Sequence, residues 1–142
     1  MAFVVDASVA LGWLFRDEQN AYAHGVLRRL ASDSAVVPSL WMFEVANGLV
    51  TANRRGRMAA AHLTDAHGLL ARLPIDVDDI SLDRALGDVV RLASAYGLSA
   101  YDAAYLELAE RLGLPLATQD TALQAAAVAA GTPLVEPAGP SN

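Results

Sequence analysis

Five short apolar runs constrain the fold more than any other feature of the chain. They are Phe3-Val4-Val5, Ala35-Val36-Val37, Ile75-Asp76-Val77, Leu116-Ala117-Thr118 and Pro133-Leu134-Val135. Each reads as a strand, and between them lie longer stretches with apolar residues at helical spacing. Strands buried on both faces appear as near-continuous apolar runs, and an intervening helix makes successive strands parallel. The expected fold is α/β, a three-layer α/β/α sandwich with a central parallel sheet. Right-handed crossovers then collect the strand C-termini along one edge, where open α/β sheets bind their ligands.

The helical stretches carry their own boundary signals. A first short helix follows Asp6, with Ser8 near its start and Val9, Leu11, Trp13 and Leu14 as its apolar positions. A second is expected over 18–31 from the spacing of Tyr22, Val26, Leu27 and Leu30. A third spans 40–54 and ends in Arg54-Arg55-Gly56, where Gly56 suits a left-handed cap. A fourth covers 59–73 and is stopped by Pro74. Further helices are expected over 82–96, from Ser99 as N-cap through Leu112, and over 121–130. The 142 residues suffice for one core, so a single domain is expected over 1–136. The Pro-Ala-Gly-Pro-Ser-Asn tail, 137–142, reads as unstructured.

Composition narrows the chemistry. There is no cysteine, which excludes disulfides, thiolate metal sites and cysteine nucleophiles, and fits a reducing cytoplasm. The opening Met-Ala-Phe-Val-Val-Asp does not read as a signal peptide, and no run reaches the roughly 18 apolar residues of a membrane span. A cytoplasmic protein without membrane attachment is the expectation. The net charge of −6 argues against bulk attraction to nucleic acid. If four of the 16 acids sat at a metal site, though, two divalent cations would cancel about four of those charges. Every basic residue is arginine, whose planar fork suits phosphate or carboxylate, so the partner stays open on composition.

Four acids stand out by their place on this frame. Asp6 ends the first strand, and Asp120 lies two residues after Thr118 at the same edge. Asp102 falls in the first turn of a helix, where the macrodipole favours a carboxylate. Glu44 lies inside the apolar stretch Leu40-Trp41-Met42-Phe43-Glu44-Val45-Ala46-Asn47, with Asn47 three residues on and on the same face. Taken singly, each acid also reads as a cap or a solvated charge. Taken together, converging carboxylates cannot all stay ionised without a cation, and oxygen-only ligands suit Mg²⁺ or Mn²⁺.

These residues also carry a family resemblance. Val4-Val5-Asp6-Ala7-Ser8 with Trp13-Leu14-Phe15, then Val37-Pro38-Ser39-Leu40 followed by Glu44-Val45-Ala46-Asn47-Gly48-Leu49, resemble the first two motifs of the PIN-domain ribonucleases. Leu98-Ser99-Ala100-Tyr101-Asp102-Ala103-Ala104-Tyr105 and Leu116-Ala117-Thr118-Gln119-Asp120 resemble the remaining two. The match runs in the family's order over about 3–135 and looks most like the VapC-like toxins of bacterial toxin–antitoxin pairs. Leu123 is a departure, because many relatives carry an aromatic residue there.

The resemblance implies an Mg²⁺- or Mn²⁺-dependent endoribonuclease, with Asp6, Asp102 and Asp120 as metal ligands and Glu44 as ligand or water-orienting base. Water activated by the metal would attack the phosphodiester. Ser8, Asn47 and Thr118 would donate hydrogen bonds that fix the carboxylates. It also implies an RNA substrate, a small VapB-like antitoxin and a homodimer. The alternative is a catalytically inactive PIN-like module that only binds protein.

Other residues carry plainer readings. Arg54, Arg55 and Arg57 follow a helix C-terminus, where cations meet the dipole favourably; they are also candidates for contact with RNA or a partner. His62 and His67 are badly spaced for a shared metal and, with His24, read as surface or packing residues. Trp13 and Trp41 read as core or interface anchors, and Asp76, Asp78 and Asp79 as a solvated turn. The missing lysine speaks against a phosphoaspartyl switch or haloacid-type phosphatase, and Asp6-Ala7-Ser8-Val9-Ala10 is no Gly-rich nucleotide loop.

Overall fold

The apolar runs pair as parallel strands in a computed structural model, which describes residues 1–15 and 17–140. Strands β1 (Ala2–Val5), β2 (Ser34–Pro38), β3 (Ile75–Asp78) and β4 (Leu116–Ala117) form one sheet in the order β3-β2-β1-β4. Val4 pairs with Val36 on one side and Leu116 on the other, so β1 is, with β2, one of the two inner strands. The fifth run shrinks to one parallel bridge, Leu134 to Leu116. Pro133 has no N–H to extend that ladder, and its carbonyl accepts from Leu116 at 2.9 Å instead.

The sheet is flanked by helices α1 (Ala7–Leu14), α2 (Ala21–Arg29), α3 (Leu40–Arg54), α4 (Ala60–Arg72), α5 (Leu82–Arg84), α6 (Val90–Tyr96), α7 (Ala100–Leu112) and α8 (Thr121–Ala130). Three boundaries differ from the sequence expectation. α2 begins at Ala21 rather than 18, because the Asn20 side chain caps it by accepting from the Ala23 N–H at 3.0 Å. The stretch expected as one helix over 82–96 contains a π-helical turn, Ala85–Val89, between α5 and α6. Thr118 lies just beyond β4 rather than within it. Gly56 does take the left-handed conformation, with φ 72°.

α7 is the most enclosed helix. All seven residues from Ala103 to Ala109 are buried, as befits a helix surrounded on every side, and it rests on β1 and β2. Its first turn therefore has a fixed place at the sheet's edge. Trp13 and Trp41 are both buried, and the Trp13 indole N–H donates to the Ala23 carbonyl at 2.8 Å. No helix among the described residues is long and apolar enough to cross a membrane.

Two further expectations are corrected. Asp78 is not in a solvated turn: it ends β3 and forms an ion pair with Arg111 at 2.6 Å. The tail has no regular structure through Pro140, yet it is held against α2. Arg28 donates to the carbonyls of Ala138 (2.9 Å) and Gly139 (3.0 Å), and the Ala138 N–H donates to the Gly25 carbonyl at 3.1 Å. A Cβ at Gly25 would lie 2.4 Å from that of Pro137, so the close approach requires glycine. Residues 141 and 142 of the expected tail lie outside the described residues.

Candidate acidic site

The site is assembled from helix starts. Asp6 directly follows β1 and caps α1: its Oδ1 accepts from the Val9 N–H at 3.0 Å and the Ser8 hydroxyl at 2.7 Å. Its Oδ2 accepts from the Thr118 hydroxyl. The carboxylate is only 5% exposed, and these donors satisfy it. Thr118 ties two acids together, because its hydroxyl oxygen also accepts from the Asp120 N–H at 3.1 Å. Asp120 caps α8 by accepting from Leu123 at 2.8 Å. Asp102 lies in the first turn of α7, which Ser99 caps by accepting the Asp102 N–H at 3.1 Å. Three acids thus stand at the positive ends of three helices.

Glu44 comes from the interior of α3, and the buried Tyr105 hydroxyl donates to its Oε1. The four acids line one cavity of about 110 Å³ together with Ala7, Ser8 and Tyr105. Capping and convergence are therefore compatible readings of the same carboxylates.

The electrostatics are those of like charges held together. Burial, and then the charges of Asp102 and Asp6, push the Glu44 carboxyl above the usual range, against the opposing hydrogen bond from Tyr105. Asp102 is likewise raised by burial and by Asp120 and Asp6, with Ser99 opposing. The Tyr105 phenol is pushed far up, mainly by burial and by its bond to Glu44. Among the described residues, no basic side chain lines the cavity. Among the described residues, no three acids or histidines close around one point as the ligands of a bound ion do. The donor set is nonetheless all oxygen, with repulsion that a cation would relieve.

The other sequence candidates fall in different places. Ser8 and Thr118 both bond Asp6, but Asn47 is exposed and lies outside the cavity, although it is one helical turn from Glu44. Arg54 and Arg55 are exposed and form no ion pair among the described residues. Arg57 pairs with Asp17 (2.8 Å) and Glu18 (3.3 Å) and lies over the Phe15 ring, 4.1 Å from its centroid. Sequence reasoning assigned no role to Tyr105. Its spacing of three from Asp102, on one helix face, was the available signal.

A model of the PIN domain family matches residues 3–129. The chain belongs to the PIN-domain family. Within this family, the chain is 34% identical over 121 residues to VapC ribonuclease Mb0985 of Mycobacterium bovis, covering 84% of this chain and 87% of that protein. Ribonuclease VapC9 of Mycobacterium tuberculosis matches to the same extent. Among solved structures, this PIN domain resembles PAE2754 from Pyrobaculum aerophilum with a TM-score of 0.62 and 29% identity, covering 89% of this chain and 87% of that one. The VapBC2 structure from Rickettsia felis, at a TM-score of 0.66 and 11% identity, covers 95% of this chain and 98% of that one; it supports the fold alone. The chain is thus a PIN domain of the VapC-like kind, and its four acids and Tyr105 sit at the C-terminal edge of the sheet.

Proposed function

We propose that this PIN domain is a divalent-metal-dependent endoribonuclease that acts as the toxin of a toxin–antitoxin pair. One observation carries the reading: four carboxylates from four elements line one cavity, with no basic side chain among the described residues that line it. The ribonuclease names of its relatives support RNA as the substrate. Asp6, Asp102, Asp120 and Glu44 would hold Mg²⁺ or Mn²⁺, drawing closer together around the ion. A bound ion supplies an activated water and neutralises charge on the phosphodiester. Ser8 and Thr118 hold Asp6 in orientation, and Tyr105 holds Glu44 by Oε1. That leaves Oε2 of Glu44 free to bind the ion or to orient the attacking water and accept its proton.

Similarity to a toxin–antitoxin complex from Klebsiella pneumoniae supports an antitoxin as partner. The exposed apolar residues Phe43 (74%) and Leu82 (72%) support protein interfaces, a homodimer among them. Purified protein incubated with RNA and Mg²⁺ or Mn²⁺ should produce defined fragments, and EDTA should stop it. A preparation that is folded and metal-loaded yet leaves a broad RNA pool intact would favour the non-catalytic binding module instead.

A further inference from the structure

A second depression opens beside the acidic cavity and shares Ser8 and Asp120 with it. It encloses about 410 Å³, within the range of sites for small organic groups. Phe15, Arg57, Asn20 and Gln119 also line it, and they form two prepared surfaces. In the first, the Arg57 guanidinium lies over the Phe15 ring and is anchored by Asp17 and Glu18. In the second, two side-chain amides bond reciprocally. Asn20 Nδ2 donates to Gln119 Oε1 at 2.7 Å, and Gln119 Nε2 donates to Asn20 Oδ1 at 3.1 Å.

The amide pair links the segment before α2 to the residue that precedes Asp120. Asn20 is fixed from several sides: its Oδ1 also accepts from the Ala23 N–H, and a Cβ at Gly12 would lie 3.1 Å from its Nδ2. With two N–H groups on it, Asn20 Oδ1 is satisfied. Gln119 keeps one amide N–H and one lone pair on Oε1 beyond those the pair consumes. A donor and an acceptor side by side on a planar group match the edge of a nucleobase.

Charge decides between a base and a phosphate as the occupant. Among the described residues Arg57 is the cation lining the groove, and Asp17 and Glu18 already neutralise it, while Asp120 adds a further carboxylate. From these described side chains a phosphate would meet net negative charge, which a neutral base does not feel. The stacked guanidinium offers such a base a flat, polarisable face. We propose that this groove receives the base of the nucleotide next to the scissile phosphate, stacked on Arg57 and read at its edge by Gln119. The inference rests on the ribonuclease reading of the acidic cavity, since the shared Ser8 and Asp120 place the two sites side by side.

The test separates binding from cleavage. The side-chain amide resonances of Asn20 and Gln119 are followed by NMR in the full chain carrying Asp102→Asn, in EDTA. The four nucleosides and inorganic phosphate are added in turn. Expected are shifts with at least one nucleoside, weakened about tenfold by Arg57→Ala, and none with phosphate. In the cleaving protein, sequenced ends from a randomised RNA should show a base preference beside the cut that Gln119→Ala flattens. Shifts with phosphate but with no nucleoside would overturn the inference. So would shifts with an arginine-bearing peptide alone, which would assign the groove to a protein partner, or a preference unchanged in both variants. If no RNA is cut, the ribonuclease reading fails, and the nucleoside shifts still decide whether a base binds here.

Discussion

The two ends of α7 solve the same physical problem in opposite ways. At its N-terminal end, Asp102 and the Tyr105–Glu44 pair face Asp6 and Asp120, and among the described residues no basic side chain lines the space between them. At its C-terminal end, Glu107 is only 4% exposed, but Arg111 meets it at 2.7 Å, and Arg84 stands 3.8 Å away. Arg111 also binds Asp78 at 2.6 Å, and the two carboxylates raise its pKa further. One end buries acid with its counter-charge built in. The other assembles acid with no counter-charge among the described residues that line the cavity. A fold that needs only stability has no reason for the second arrangement, which is why carboxylates that converge in a cavity and raise one another's pKa point to function.

The comparison is broken most severely by neutralising one acid at each end. Asp102→Asn should cut RNA cleavage about a thousandfold, an effect on the order of 4 kcal/mol on the transition state. It should leave the protein folded and no less stable, since it removes a like charge from the cavity. Glu107→Ala should do the reverse, with cleavage per folded molecule nearly unchanged. Its unfolding free energy should fall by about 2 kcal/mol, less than the full cost of breaking a buried pair because Arg111 keeps Asp78. Denaturant titration alongside a cleavage assay checks both. Equal losses of stability in the two variants would remove the distinction between the ends.

Much of this contrast was legible in the sequence, and the remainder depended on distant contacts. β1 and β2 announced themselves because strands buried on both faces leave unbroken apolar runs. The places of Asp6, Asp102 and Asp120 followed from strand ends and helix starts, which are local signals. Glu44 stood out only as a charge in an apolar helix. The partnership of Glu44 with Tyr105 joins residues 61 apart in sequence, and no periodicity records it. Asp78 was read as a solvated turn because its partner Arg111 lies 33 residues away. Asn47 shows the limit of spacing: it lies one turn from Glu44, but it is exposed and does not line the cavity. The docking of the tail was invisible because it depends on a missing Cβ at Gly25.

Thr118 probes the acidic end without touching its charge. Its hydroxyl donates to Asp6 and accepts from the Asp120 N–H, so Thr118→Val strands a buried carboxylate oxygen and an amide at once. The expected cost is about 1–3 kcal/mol of stability, together with a loss of cleavage that Thr118→Ser should largely restore. Recovery of stability without recovery of cleavage in the serine variant would show that the methyl group also positions the site.

The smallest effect is the one that tests the comparison most directly, because it asks what each end does when the solvent changes. Glu44 and Asp102 have folded pKa values above their unfolded ones, so the folded state binds protons more readily. Their contribution to stability is therefore fully present below the ordinary carboxylate range, around pH 4. It is lost as pH rises through the raised folded values, opposite to the usual behaviour of a salt-bridged acid. Above those raised values, without a divalent cation, ionising both would set like charges against each other. Mg²⁺ at ten times its dissociation constant should restore about 1.4 kcal/mol, a rise of a few degrees in Tm. Asp102→Asn should shrink both the pH dependence and the Mg²⁺ response. Glu107→Ala should shrink neither, since Arg111 already supplies the charge that the other end lacks. Thermal melts at pH 5 and pH 7, with Mg²⁺ and with EDTA, measure all of this. An Mg²⁺ response of equal size in the Asp102→Asn protein would locate the cation elsewhere and undo the assignment.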